Sequence, residues 1–195
     1  MNQTNFEATE KIYWHDKIMA KTVLRIFPKR ILPNHITVFR FWATPFVAAL
    51  MFYERYSIGL MAFLLVAFTD AIDGSMARTR NQITRWGKIY DPLADKILIG
   101  SMVFIIVLKY IDLWTSLVII GLEMIIIIVA WVRMVRGHKI QANLWGKIKM
   151  NLQVLGVVIL LFSIIFDWAA LLPLASTTLY LAIAFAIVSL ATFGI

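Results

Sequence analysis

The chain has 195 residues, of which 61% are hydrophobic and 15% are charged, and its mean hydropathy is +0.81. This composition excludes an ordinary soluble domain, and the absence of cysteine excludes disulfides, thiolate metal sites and cysteine nucleophiles. The net charge of +8 predicts basic loops that face anionic membrane lipids; we expect no nucleic-acid binding.

Residues 11–27 predict an amphipathic helix that lies in the membrane interface, since its apolar and basic side chains gather on opposite faces. The apolar face, expected in lipid, consists of Ile12, Met19, Val23, Ile26 and Phe27. The basic face consists of Lys11, Lys17, Lys21 and Arg25, with Asp16 as an intruder. Pro28 and Pro33 end this juxtamembrane segment before the first long apolar run.

Six apolar runs follow, each close to the roughly 20 residues that a membrane helix requires. We place them at residues 35–53, 58–79, 88–110, 114–136, 147–167 and 173–194. Their connections are short. We therefore expect an all-α integral membrane protein, a single domain over residues 1–195, with six transmembrane helices after the N-terminal amphipathic helix.

The distribution of lysine and arginine predicts the orientation of these helices. Basic residues concentrate before residue 35, in the loop 78–88 and in residues 133–149, whereas the opposite loops contribute only Arg55 and Lys109. The positive-inside rule places the basic segments in the cytoplasm. Both termini would then be cytoplasmic, in a membrane of the bacterial inner or plasma-membrane type.

Four aspartates lie at the cytoplasmic ends of the second and third predicted spans. Asp70 and Asp73 are three residues apart, and Asp91 and Asp95 are four apart, so each pair shares one face of a helix. Carboxylates beside membrane-length apolar runs are costly and usually mark a functional site. Pro92 either kinks the third span or makes Asp91 its N-cap.

Four neighbouring carboxylates require protonation or bound cations. Hard oxygen ligands without cysteine or a nearby histidine favour two divalent ions, Mg²⁺ or Mn²⁺, which are suited to phosphoryl displacement. Gly74, Ala77 and Gly87 are small enough for another group to approach the backbone, and Arg78 offers a fork of donors to a diphosphate. The residues therefore indicate a phosphate-ester site.

The ordered pattern resembles the signature of the CDP-alcohol phosphotransferase family, DxxDGxxAR, eight residues, GxxxDxxxD. The chain matches it at Asp70, Asp73, Gly74, Ala77, Arg78, Gly87, Asp91 and Asp95. The resemblance implies two metal ions held by the four aspartates, with Asp70 and Asp91 shared between them. It also implies that Asp95 is the general base.

The donor of this family is a cytidine-diphosphate lipid. By resemblance, Gly74, Arg78 and Thr84 would contact it, together with the small residues Ala77 and Gly87. A polar alcohol would attack the phosphorus that bears the lipid and displace CMP, beside the membrane lipids at the inner interface. The family also implies a homodimer, although the chain has no GxxxG seam to support one.

Three outer segments, beginning at Leu32, Asp91 and Asn143, resemble the phosphatidylglycerophosphate synthase branch, which uses CDP-diacylglycerol and glycerol 3-phosphate. That resemblance implies that Asn34, Thr37 and Arg40 help to hold the donor. It implies that the acceptor phosphate binds a basic set formed by Arg133, Arg136, Lys147 and Lys149. The branch commonly has Arg-Glu in the fourth span, where this chain has Leu122-Glu123, so inositol phosphate, inositol and serine stay open as acceptors.

Glu123 lies inside an apolar run and is expected to have a buried partner, for which Lys96 is one candidate. Two functions of other classes are alternatives to the transferase. A divalent-cation transporter would use the aspartates as its ion path, but such sites tend to lie at the bilayer midplane within repeats. A non-catalytic membrane scaffold would tolerate the loss of Asp91 or Asp95.

Overall fold

The computed structural model describes residues 12–28, 30–136 and 144–193, which are helical almost throughout and contain no strand. The helices are α1 (Trp14–Lys21), α2 (Pro33–Phe52), α3 (Tyr56–Thr79), α4 (Arg85–Met102), α5 (Leu108–Tyr110), α6 (Leu113–Val135), α7 (Leu144–Ile165) and α8 (Leu172–Phe193). Short 3₁₀ turns lie at Val23–Arg25 and Ala169–Leu171, and a π-turn at Val103–Val107 joins α4 to α5. Five of the predicted runs begin and end within three residues of one long helix each, and the run 88–110 corresponds to α4, the π-turn and α5 together.

Five helical segments are long and apolar enough to cross a membrane, which makes this an integral membrane protein. They are Pro33–Phe52, Tyr56–Thr79, Leu113–Arg133, Leu144–Ile165 and Ala169–Thr192. The continuous helical run from Arg85 to Tyr110 is not among them, because Asp91, Asp95, Lys96 and Lys109 interrupt its apolar stretch.

Three helices end in the same hydrogen-bonded cap, each with a non-glycine residue in the left-handed region. Glu54, Asn81 and Asp167 have φ values of 60°, 53° and 51°. After each of them an amide donates back to a carbonyl five residues earlier, as from Arg55 to Leu50 at 2.9 Å and from Trp168 to Ser163 at 2.8 Å. This is the Schellman arrangement, which satisfies the last carbonyls of a helix and reverses the chain sharply.

The chain forms two compact units. The first comprises the described residues of Met1–Ala49 and Met61–Leu98. Its apolar centre is a cluster of Leu24, Ile36, Ile72 and Met76. This unit holds all four aspartates of the pattern.

The N-terminal segment differs from the predicted interfacial helix. The α-helix covers only Trp14–Lys21, and Lys11 lies outside the described residues. Of the predicted lipid face, Met19, Val23 and Phe27 pack against the apolar cluster of the first unit. Ile12 and Ile26 are exposed. The segment therefore buries part of its apolar face against protein, because α3 offers it a complementary apolar surface.

The helix α4 passes through Pro92, so this proline lies inside the helix and Asp91 is not its N-cap. Since proline has no amide hydrogen, one hydrogen bond of this helix is missing where the proline lies. The helical start at Arg85 keeps Asp91 and Asp95 on consecutive turns of one helix.

The second unit comprises the described residues of Leu50–Leu60 and Ile99–Ile195. The helices α7 and α8 pack closely here: a Cβ atom added at Gly156 would lie 2.8 Å from Cγ of the buried Leu179. Helix α6 begins at a side-chain cap, since the amide of Thr115 donates to Asp112 Oδ1 at 2.7 Å.

Candidate active site

The side chain of Arg40 lies among three of the four predicted aspartates. Its Nη1 donates to Asp70 Oδ1 at 3.0 Å and to Asp95 Oδ1 at 2.6 Å, and its Nη2 donates to Asp73 Oδ2 at 2.5 Å. These contacts bring α2, α3 and α4 together at one point. Spacing along the chain predicted that the members of each pair share one helix face, and three of the four aspartates contact Arg40.

The fourth carboxylate is held by a hydroxyl group. Thr37 Oγ1 donates to Asp91 Oδ1 at 2.5 Å, and Thr37 is fully buried. Thr37 and Arg40 are three residues apart, so α2 presents both to the acidic helices from one face. The sequence analysis assigned both residues to the lipid donor; the structure gives them contacts with the aspartates.

Burial changes across the acidic group. The side chains of Arg40 and Asp73 are 0% and 2% exposed, whereas that of Asp70 is 43% exposed. Asp95 lies between these extremes at 13%. The group is therefore closed on the side of Asp73 and open to incoming molecules on the side of Asp70.

The aspartate group suits the divalent ions that the pattern predicts. Four carboxylates and one guanidinium leave an excess of negative charge, and all the available ligands are hard oxygens, as Mg²⁺ or Mn²⁺ requires. Three of the carboxylates contact Arg40, and within the described residues no three acidic or histidine side chains form a ready chelating group. The residues fit the ions in charge and in ligand type.

A small cleft of about 110 Å³ adjoins Asp91 in the first unit. Seven residues named from the sequence line it: Asn34, Gly74, Ala77, Arg78, Thr84, Gly87 and Asp91. Three lining residues, Pro33, Gln82 and Ile83, were missed, since none belongs to the fixed pattern.

One wall of the cleft is a short chain of polar contacts. Thr84 Oγ1 donates to Asn34 Oδ1 at 2.9 Å, and the amide of Gly87 donates to Thr84 Oγ1 at 3.0 Å. A Cβ atom at Gly87 would lie 3.2 Å from both Thr84 Oγ1 and Asp91 Oδ2. The glycine thus lets polar groups from three segments meet at the cleft.

Asp16 is a site residue that the sequence analysis treated as an intruder on a basic helix face. Its carboxylate is fully buried and accepts hydrogen bonds from Arg78 Nε at 2.8 Å and Arg78 Nη2 at 2.7 Å. Ser75 Oγ donates to it at 2.7 Å. No local pattern marks this contact, because 62 residues separate Asp16 from Arg78.

The bond with Arg78 is the main reason that the pKa of Asp16 lies well below its usual range; the contacts with Ser75 and the Tyr13 amide act in the same direction against desolvation. A carboxyl group whose pKa is lowered by folding contributes stability at neutral pH. That contribution is lost only when the pH falls below the ordinary carboxyl range, through the folded-state pKa.

A second arginine fixes the same N-terminal segment. Arg80 Nη2 donates to the backbone carbonyls of Leu24 at 3.0 Å and Phe27 at 2.8 Å. The end of α3 therefore holds the N-terminal segment both by Arg78 and by Arg80. From the sequence, Arg80 was only one of the basic residues of the loop 78–88 that predict the orientation in the membrane.

The basic residues predicted to bind an acceptor phosphate lie in the second unit. Arg133 belongs to the last turn of α6, Arg136 and Lys147 are exposed, and Lys149 is buried. The ammonium group of Lys149 donates to Glu123 Oε1, which also accepts from Gln153 Nε2 at 2.9 Å. Lys149 is thus the buried basic partner that was expected for Glu123 inside its apolar run.

Comparison with known proteins gives the following matches. The family model described as CDP-alcohol phosphatidyltransferase matches residues 30–188. A Bacillus subtilis (strain 168) protein named CDP-diacylglycerol--glycerol-3-phosphate 3-phosphatidyltransferase is 32% identical over 177 residues, which cover 81% of this chain and 90% of that protein.

Two further proteins of the same name extend this similarity. The one from Pseudomonas fluorescens is 32% identical over 166 residues, covering 76% of this chain and 85% of its own. The one from Rickettsia felis (strain ATCC VR-1525 / URRWXCal2) is 40% identical over 82 residues, covering 40% of this chain and 45% of its own. The similarity therefore extends well beyond the aspartate pattern.

Proposed function

We propose a function for this chain on the basis of its family: it belongs to the CDP-alcohol phosphatidyltransferases. The proposed reaction transfers a phosphatidyl group from CDP-diacylglycerol to glycerol 3-phosphate. The products are phosphatidylglycerophosphate and CMP, and the reaction is a step of phospholipid biosynthesis. The names of the relatives support this acceptor. The observation that carries the proposal is that Asp70, Asp73 and Asp95 all contact Arg40, beside a cleft lined by the other residues of the pattern.

The cleft is the proposed site for the cytidine-diphosphate part of the donor. Arg78 supplies a cation for the diphosphate, while Gly74, Ala77 and Gly87 leave room for it. Asn34 and Thr84 offer polar atoms to the same cleft.

Asp70, Asp73, Asp91 and Asp95 are the proposed ligands of two divalent ions, Mg²⁺ or Mn²⁺, with Asp70 and Asp91 shared. When bound, the ions offset the negative charge of the diphosphate and of the departing CMP. Thr37 and Arg40 hold the carboxylates in place through the contacts described above.

Asp95 is the proposed general base. Its carboxylate takes the proton of the acceptor hydroxyl, whose oxygen then bonds to the phosphorus that bears the lipid. The bond from that phosphorus to the bridging oxygen breaks, and CMP leaves with the electron pair. Arg40 fixes the orientation of Asp95 through the bond at 2.6 Å.

The acceptor phosphate is proposed to bind basic residues drawn from Arg133, Arg136, Lys147 and Lys149. The first three carry their charges near the ends of α6 and α7. The ammonium group of Lys149, by contrast, is already paired with the carboxylate of Glu123. We therefore expect Arg133, Arg136 and Lys147 to contribute more to acceptor affinity than Lys149.

The proposed membrane arrangement has six spans, with the helical run from Arg85 to Tyr110 as the third. The length and continuity of this run support it, since about 20 helical residues cross a bilayer. The active site and both termini are proposed to be cytoplasmic, with the exposed side of the N-terminal segment in the interface. We propose a homodimer as the assembly, on family resemblance alone.

The decisive experiment is CMP release from CDP-diacylglycerol by the purified protein, with glycerol 3-phosphate, inositol phosphate, inositol and serine compared as acceptors. We expect release that depends on glycerol 3-phosphate. If another acceptor gives faster CMP release, the proposed phosphatidyl transfer stands and glycerol 3-phosphate is the wrong acceptor. Metal flux in liposomes without CMP release would instead favour a cation transporter.

Two perturbations test the mechanism. Asp95→Asn should abolish CMP release while the protein stays folded, and substantial residual turnover would contradict its role as base. Excess EDTA should stop the reaction reversibly, with activity restored by Mg²⁺ or Mn²⁺. Activity that persists in EDTA would argue against the metal ions.

A further inference from the structure

The N-terminal segment contacts the guanidinium of Arg78, one of the residues that line the cleft. Asp16 binds two of the three nitrogens of that group, Nε and Nη2, in a side-on fork. Charge-assisted forks of this kind fix both the position and the plane of an arginine. The ring of Tyr13 lies 5.8 Å from the carbon at the centre of the guanidinium.

Asp16 is itself held from two sides. The amide of Tyr13 donates to Asp16 Oδ2 at 3.0 Å, and Ser75 donates to Oδ1. The carboxylate is fully buried although α1 also carries the exposed Lys17 and Lys21. A buried carboxylate with four hydrogen bonds is a rigid anchor rather than a solvated surface charge.

The guanidinium of Arg78 lies close to Gly74, and both residues line the cleft. A Cβ atom added at Gly74 would lie 3.3 Å from Arg78 Nη1 and 3.5 Å from Nη2. The glycine of the DG pair therefore leaves space for the guanidinium in the orientation that Asp16 imposes. Gly74 and Arg78, two residues of the pattern, thus share one geometric requirement.

We propose that Asp16 is a positioning residue for the donor lipid: it fixes the position and the plane of the Arg78 guanidinium at the cleft, where Arg78 binds the diphosphate. The N-terminal segment is then part of the donor site and not only a membrane-surface element. This inference rests on the proposed function, since it requires that the cleft bind a cytidine-diphosphate lipid.

The test compares Asp16→Asn, Asp16→Glu and the control Ser75→Ala in the full-length protein. The asparagine keeps the shape of the side chain and removes its charge, so Arg78 loses its fixed orientation. The control removes one contact of Asp16 and leaves both bonds to Arg78. Steady-state measurements at saturating acceptor give KM for CDP-diacylglycerol and kcat, and calorimetry gives the affinity for CDP.

For Asp16→Asn we expect KM to rise about tenfold, which corresponds to the loss of one charge-assisted contact, with kcat within about twofold of the wild type. CDP affinity should fall by the same factor. Asp16→Glu should recover most of the affinity, and Ser75→Ala should change KM by less than about threefold.

Two outcomes would overturn the proposal. An unchanged KM in folded Asp16→Asn would mean that Asp16 is only a structural anchor, and a lowered KM would mean that it competes with the diphosphate for Arg78. If wild-type protein releases no CMP from CDP-diacylglycerol, the proposed function fails instead.

A measurement on the wild type covers the case in which Asp16→Asn does not fold. Hydrogen exchange in Trp14–Lys21 should slow when CDP is added, because a nucleotide on Arg78 stabilises the pair that holds this helix. Exchange that is unaffected by saturating CDP would contradict the proposal.

Discussion

Arg40 is the largest fully buried side chain in the described part of the protein, and its charge is balanced by three carboxylates. Buried ion pairs of this kind cost much solvation free energy, so they persist only when the hydrogen bonds are well formed. The planar guanidinium serves three acceptors at once, which a lysine ammonium on a flexible stem does not reproduce.

Replacement of Arg40 by methionine should lower the free energy of unfolding by about 3–5 kcal/mol, because it leaves buried carboxylates without their partner. Arg40→Lys should lose less, since it keeps the charge. Thermal or denaturant unfolding in detergent measures both losses. The matched control is Arg55→Met at an exposed turn, for which we expect a change within about 0.5 kcal/mol. Equal losses at the two positions would refute the role given to Arg40.

At the scale of single residues, the sequence predicted the four aspartates and the cleft glycines as a group because their spacing is periodic. It did not predict the contacts of Asp16, or the partners of Glu123, because those contacts join residues that are distant along the chain. It named Arg40 but not its position among the carboxylates, since nothing local to α2 shows which acids a basic residue will reach.

Helix packing in the second unit depends on a glycine that the sequence analysis did not single out. Gly156 faces the buried Leu179 so closely that a Cβ atom would lie 2.8 Å from Cγ and 2.9 Å from Cδ2. Small residues at such contacts let helices approach each other in membranes, where apolar burial contributes little to association.

Gly156→Ala should therefore destabilise the protein by about 1–3 kcal/mol through overpacking. Leu179→Ala in the same chain should recover part of the loss, because it removes the atoms that clash. At Gly121 a Cβ atom meets nothing within 4 Å, so Gly121→Ala should stabilise its helix by about 0.5–1 kcal/mol. Unfolding in detergent distinguishes the two sites, and equal effects at both would contradict the packing argument.

Long helices could be predicted closely from hydropathy, since their length and apolar content are local properties of the chain. The N-terminal segment could not. Its amphipathic pattern is equally compatible with lipid and with an apolar protein surface, and the outcome depends on Ile72 and Met76 far along the chain. The sequence also could not decide whether Pro92 lies inside a helix or follows an N-cap at Asp91, because both arrangements are compatible with the local pattern.

For the whole molecule, the orientation in the membrane is a prediction that the absence of cysteine makes easy to test. A thiol introduced at Tyr53 or at Leu113 should react with an impermeant maleimide in intact cells, since both exposed residues lie on the outer side in the six-span arrangement. A thiol at the exposed Arg136 should react only after permeabilisation.

The pair Leu113 and Arg136 also tests the third span. If the run from Arg85 to Tyr110 did not cross the membrane, Leu113 would be protected and Arg136 would be labelled while Tyr53 stayed accessible. Complete inversion of all three results would instead reverse the orientation. The positive-inside rule predicts this topology because it depends only on the charges of the loops. Hydropathy alone does not identify the third span, because charged residues lower the mean hydropathy of the run from Arg85 to Tyr110.

The contacts of the first unit determine when during synthesis its buried ion pairs can form. They join residues that are 30 to 62 positions apart, from Arg40 with Asp70 to Asp16 with Arg78. Closing loops of this length costs conformational entropy, and the partner residues must already be present to offset that cost. During synthesis Asp16 and Arg40 must therefore wait for α3 and α4 to emerge. The contacts of Arg40 with the aspartates are therefore complete only after the chain has been made as far as Asp95.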